Sequence, residues 1–117
     1  MSVETVNVVR EMVTFIAANP PVIISRSGGV RAVVRTGTGI FRVELEQKLP
    51  INATPANSPG ACLQHSVNGP FFTGCTPEAT AGVNQGDVVL STYAIGGSLA
   101  DINQRVDLAI LAYPNQA

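Results

Sequence analysis

The chain predicts an all-β fold, an antiparallel β-sandwich or jelly-roll-like barrel with long proline- and glycine-rich loops. Three observations carry that expectation. In Phe41-Arg42-Val43-Glu44-Leu45-Glu46, apolar and charged residues alternate strictly. A strand sends successive side chains to opposite faces, so Phe41, Val43 and Leu45 point to a core while Arg42, Glu44 and Glu46 point away from it. Short β-branched runs then recur along the chain, each closed by Gly, Pro or Asn. Finally, no segment reads convincingly as a helix. Val3 to Ala18 has apolar residues near helical spacing, but its Val and Thr content favours a strand.

Taken in order, residues 1–20 read as an N-terminal strand or arm, ended by Asn19-Pro20-Pro21, where each proline removes an amide donor. Val22 to Ser25 is a short strand, and Ser27-Gly28-Gly29 turns into the Val30 to Arg35 run. Thr36-Gly37-Thr38-Gly39 supplies two residues that tolerate positive φ, so Val30 to Leu49 reads as two antiparallel strands or one sharply bent one. Residues 51–86 form a long loop region with four prolines and one formal charge, Glu78, and short strands around Ala61 to Val67 and Phe71-Phe72. So uncharged a segment is expected to pack, over its own sheet or against another subunit. Val88 to Ile95 is a strand closed by Gly96-Gly97, and Arg105 to Tyr113 is the last. Its second face starts polar at Asp107 and ends apolar at Leu111 and Tyr113, as in a strand central to a sandwich or crossing into an interface.

A chain of 117 residues suits a single domain, residues 1–117. Charged residues make up only 13%, about half the usual share. Large uncharged surface marks an interface, so a homo-oligomer is expected, with a trimer favoured. Residues 1–50 hold six of the seven Arg and Lys against four of the eight Asp and Glu, whereas residues 51–117 hold one against four. Faces of opposite sign would steer neighbouring subunits into register. A formal net charge of −1 gives no general pull toward nucleic acid. The N-terminus lacks a secretory pattern, and the apolar stretches are broken before they could span a bilayer.

No catalytic set is legible, and the expectation is a protein that is not an enzyme. His65 is the sole histidine, and Cys62 lies three residues before it, on the opposite face of an extended segment. Cys62, His65, Cys75 and Glu78 lack paired zinc-ligand spacings, so neither metal nor cofactor is expected. Cys62 and Cys75 read as two separate thiols or, alternatively, as a disulfide, which a reducing cytoplasm disfavours during synthesis. Glu44 and Glu46 share a strand face at about 7 Å, a separation a glycosidase could use, although a solvated strand face puts charges there anyway. Gly37-Thr38-Gly39 lacks the Lys-Ser/Thr pair and helix of a phosphate loop.

Val33-Val34-Arg35-Thr36-Gly37-Thr38-Gly39-Ile40-Phe41-Arg42-Val43-Glu44-Leu45 resembles the V-x-R-x-G-x-G-x-Y/F-x-V-x-F/L segment of small all-β domains in bacteriophage particle proteins, of capsid decoration and tail fibre type. The likeness extends in layout over Val30 to Tyr113, through Gly96 to Asp101 and the closing apolar strand. Phe41 stands where tyrosine is commoner, and the middle is longer and richer in proline. The resemblance implies a structural or adhesive role in a virion assembled from proteins made in the host cytoplasm. It brings no catalytic residue. The expectation is a small decoration (cement) protein packing through residues 51–86, Leu111 and Tyr113. Arg31, Arg35, Arg42 and Glu44 would grip the major capsid protein or other virion proteins. The alternative is a carbohydrate- or receptor-binding domain of a tail fibre, with Phe71-Phe72 as its exposed aromatic pair.

Overall fold

The alternation written along each run becomes eight antiparallel strands. The computed structural model of the chain describes residues 8–49 and 62–114. The strands are β1 (Val8–Ile16), β2 (Val22–Arg26), β3 (Val30–Gly37), β4 (Ile40–Leu45), β5 (Cys62–Val67), β6 (Phe72–Pro77), β7 (Val88–Tyr93) and β8 (Arg105–Pro114). They form two four-stranded sheets packed face to face, a β-sandwich. The first has the order β2-β1-β8-β5 and the second β3-β4-β7-β6. The Val30 to Leu49 region is two strands, β3 and β4, paired antiparallel, and β8 is a central strand as its two-sided apolar end predicts. Residues 62–77 of the long loop region become β5 and β6. The rest of its packing, from 51 to 61, lies outside the described residues.

The inner faces interlock. Val13 and Phe15 from β1 and Val106, Leu108 and Ile110 from β8 meet Phe41, Val43 and Leu45 from β4 and Val88 and Leu90 from β7, all buried. The Phe15 and Phe41 rings lie 5.5 Å apart, tilted by 58°, and bridge the two layers. Each buried aliphatic or aromatic side chain contributes roughly 1.5–3 kcal/mol of transfer free energy, so this layer is the main source of stability.

Two polar braces fix the ends of the layers. Asp87, fully buried before β7, accepts a hydrogen bond from the Leu45 N–H at 3.0 Å and an ion pair from Lys48. Its second oxygen has no hydrogen-bond partner. At the other end, Asp101 clasps the β3–β4 turn. Its carboxylate accepts from the Gly39 N–H at 2.8 Å and from both nitrogens of the Arg35 fork at 2.9–3.2 Å. Gly39 is required there. Its φ is +68°, and a Cβ would sit 2.6 Å from the Ala100 nitrogen and 2.7 Å from the Thr92 carbonyl oxygen.

Candidate functional site

The residues with the most reactive side chains are scattered, each held by its own local chemistry. His65 on β5 shares a hydrogen bond with the Thr73 hydroxyl on β6, which ties one edge of the first sheet to the adjoining edge of the second. Cys75 turns toward the core, and burial pushes its thiol up to about 11, away from nucleophilic chemistry. It is a free cysteine, so the structure does not contain the disulfide alternative for Cys62 and Cys75. The Cys62 side chain lies outside the described residues. Hydrogen bonds from the Thr80 side chain and then from its N–H, at 3.0 Å, hold the Glu78 carboxyl below the ordinary range. Among the described residues, no three His, Cys, Asp or Glu side chains converge on a possible metal position.

The carboxylate pair of the sequence is also divided. β4 ends at Leu45, so Glu46 leaves the strand and pairs with Arg31 at 3.2 Å, whereas Glu44 pairs with Arg42 on its own strand at 3.2 Å. The Arg31 hydrogen bond holds the exposed Glu46 carboxyl low. Arg35, expected on an interface, is instead committed to the Asp101 clasp. That bond, followed by the one from Gly39, holds the Asp101 carboxyl below its usual value.

The two phenylalanines separate. Phe71 packs against the core, so Phe71-Phe72 is not an exposed pair. Phe72 alone is exposed, at 59%. Its cross-strand partner is Tyr93, which sequence reasoning did not select. The signal was present in the alternation of Val88 to Tyr93, which sends Val89, Ser91 and Tyr93 to the outside when Val88, Leu90 and Thr92 are buried. The Tyr93 ring lies over Gly74, where a Cβ would make ordinary van der Waals contact with it at 3.7 Å.

What remains as a functional surface is therefore the outside of the sandwich. On the second sheet, register places Phe72 beside Tyr93, Gly74 beside Ser91 and Ile40, and Thr76 beside Val89, Arg42 and Val34. Glu44 lies next in line, beside Ala32. Apart from Phe72 and Thr76 these side chains are half-buried; Arg42 and Glu44 neutralise each other, and the 78–84 loop, with Glu78, stands beside Arg42. The first sheet differs. A shallow depression of about 600 Å³ crosses β1, β8 and β5, with Asp107 at its centre. The Thr14 hydroxyl donates to Asp107 at 2.6 Å, and the Ser66 hydroxyl does so at 3.5 Å. Leu111 stands at the edge of that face, 38% exposed, and the Tyr113 side chain lies outside the described residues. Comparisons with protein-family models, curated proteins and solved structures return no match.

Proposed function

We propose that this chain is a non-catalytic structural subunit of a virus particle, a small decoration protein that binds a phage head and stabilises it through subunit contacts. One observation carries the reading. A domain with few charges exposes large apolar side chains on its strands, Met12, Val22, Ile24 and Leu111 on the first sheet and Phe72 on the second. Surface of that kind is stabilised by protein contact. The dispersal of the described His, Cys and acidic side chains supports the same reading, because His65 and the carboxylates of Glu44, Glu46, Asp87, Asp101 and Asp107 have structural partners and Cys75 packs against the core.

The test is addition of the purified chain to heads that lack it. Co-sedimentation in fixed proportion to the capsid subunit, with greater resistance of the heads to heat, is the expected result. Failure to sediment with heads at micromolar concentration would remove the proposal. A second reading, glycan binding by a tail fibre, draws on Tyr93 laid over Gly74 beside exposed Phe72, since aromatic rings stack on the apolar faces of sugars. A glycan array would decide it, with Phe72→Ala as the control in place of the buried Phe71.

A further inference from the structure

We infer that Lys48 and Asp87 join covalently, forming a side-chain amide that ties the segment after β4 to the residue before β7. The choice of residue types is the first reason. Lys48 is the only lysine of the chain, against six arginines. Among the described residues, the ion pairs of Glu44, Glu46, Asp101 and Asp107 all use arginine, and all remain partly exposed. The fully buried carboxylate, Asp87, is the one that meets the lysine. For a buried pair that only holds charge, arginine is the better residue, because its forked guanidinium satisfies a carboxylate through two bonds. Lysine brings something arginine lacks, an amine that becomes a nucleophile once it gives up a proton.

The surroundings of the carboxylate are the second reason. Oδ1 accepts from the Leu45 N–H at 3.0 Å and from Lys48 Nζ, whereas Oδ2 is buried without a hydrogen-bond partner. An ion pair leaves that oxygen desolvated and unsatisfied, which is costly in a buried carboxylate. Condensation removes it. The Lys48 nitrogen adds to Asp87 Cγ, and the negative charge that develops on Oδ1 is met by the Leu45 N–H. The Cγ–Oδ2 bond then breaks, and Oδ2 leaves as water. The ammonium supplies both protons of that water, the carboxylate supplies its oxygen, and no other reactant enters. What remains is an amide whose carbonyl oxygen keeps the Leu45 hydrogen bond.

The backbone holds the two groups for this step. Gly86, at φ +89°, lies so close to the Lys48–Leu49 stretch that a Cβ would sit 2.7 Å from Lys48 Cβ and 2.6 Å from the Leu49 carbonyl oxygen. The Leu49 N–H donates to the Gly86 carbonyl at 2.8 Å, and the Glu78 N–H donates to the Asp87 carbonyl at 2.8 Å. Groups fixed in contact react as though at concentrations that free solutes never reach. Full burial of Asp87 then keeps bulk water from the new bond. Because β4 and β7 are neighbours in the second sheet, the bond closes that end of the sheet. The inference goes beyond the decoration reading and does not depend on it.

Mass spectrometry of the full chain, denatured after folding, tests it. The protein should be lighter than its sequence by one water. Digestion should yield a branched peptide that joins Lys48 to Asp87, with Lys48 resistant to trypsin. Lys48→Arg keeps the positive charge but not the amine, and should show its full sequence mass. A wild type at full mass, both fresh and after prolonged incubation in the folded state, overturns the inference. So does a lost water that maps to any other pair of residues, or one that persists in Lys48→Arg. Should that variant fail to fold, the branched peptide of the wild type decides alone. A cross-linked chain that ignores phage heads upholds this inference and rejects the decoration reading.

Discussion

The two sheets share a core, yet their outer faces are built on different rules. On the first sheet, small and polar side chains are tied down locally: Thr14 and Ser66 hydrogen-bond Asp107, and Arg105 approaches the same carboxylate at 3.8 Å. The same sheet exposes Met12, Val22 and Ile24 by more than half, and Leu111 by 38%. On the second sheet, half-buried Val34, Ile40, Val89 and Tyr93 lie around an Arg42–Glu44 pair that the 78–84 loop, with Glu78, stands beside. The difference shows that low charge content is a local property here. Along the strands, exposed large apolar side chains are concentrated on the first sheet, with Phe72 their counterpart on the second.

Substitutions can break or sharpen this contrast. The largest effect should come from Phe41→Ala, which removes the ring that touches Phe15 and so undermines both sheets together. A loss of about 4 kcal/mol in urea denaturation is expected, from lost burial plus the cavity left behind. Asp87→Ala acts on the second sheet alone. It strands the Leu45 N–H and the Lys48 ammonium, and should cost about 3 kcal/mol. Amide exchange should rise first at Leu45 and along β7 and spare β1 and β8.

Gly39→Ala is a sharper probe, because it leaves both outer faces untouched. A methyl group against the Ala100 and Thr92 backbone, at positive φ, should cost about 2 kcal/mol and lower the melting temperature. The smallest effect concerns acid. Asp101 has a depressed folded-state pKa, so its contribution is present above the unfolded value of about 3.9 and is lost as pH falls through the folded value. With its two side chains 24% and 21% exposed and screened by solvent, the clasp is worth about 1 kcal/mol. Urea midpoints of wild type and Asp101→Asn should differ at pH 6 and converge toward pH 2. A constant gap would show that the clasp does not titrate.

Much of this architecture is legible in the sequence because a strand writes its two faces directly into alternate residues. Phe41, Val43 and Leu45 are buried as their pattern requires, and the strands other than β5, whose Cys62–Val67 run holds one β-branched residue, lie where β-branched or aromatic residues are closed by turn residues. The braces are not legible. Asp87 meets Lys48 and Asp101 meets Arg35 only after strands far apart in the chain have paired. Nothing local distinguishes these carboxylates from solvated ones. Phe71-Phe72 shows the same limit on a smaller scale. Adjacent residues must part company in a strand, but only the pairing of Phe72 with Tyr93 decides which one faces outward. The candidate surface itself was half legible: Arg42 and Glu44 stand out by alternation, whereas Val34, Val89 and Tyr93 join them only through register.

Sheet composition also sets the order in which a growing chain can assemble. The second sheet draws all four of its strands from residues 30–93, so its hairpins can begin to form while synthesis is still under way. The first sheet places β1 beside β8, with Val8 opposite Pro114, and must wait for the last strand to leave the ribosome. Until then β1 has β2 alone beside it, and its other edge lacks the strand it pairs with. The nascent protein is therefore most exposed to misassociation through the strand it makes first.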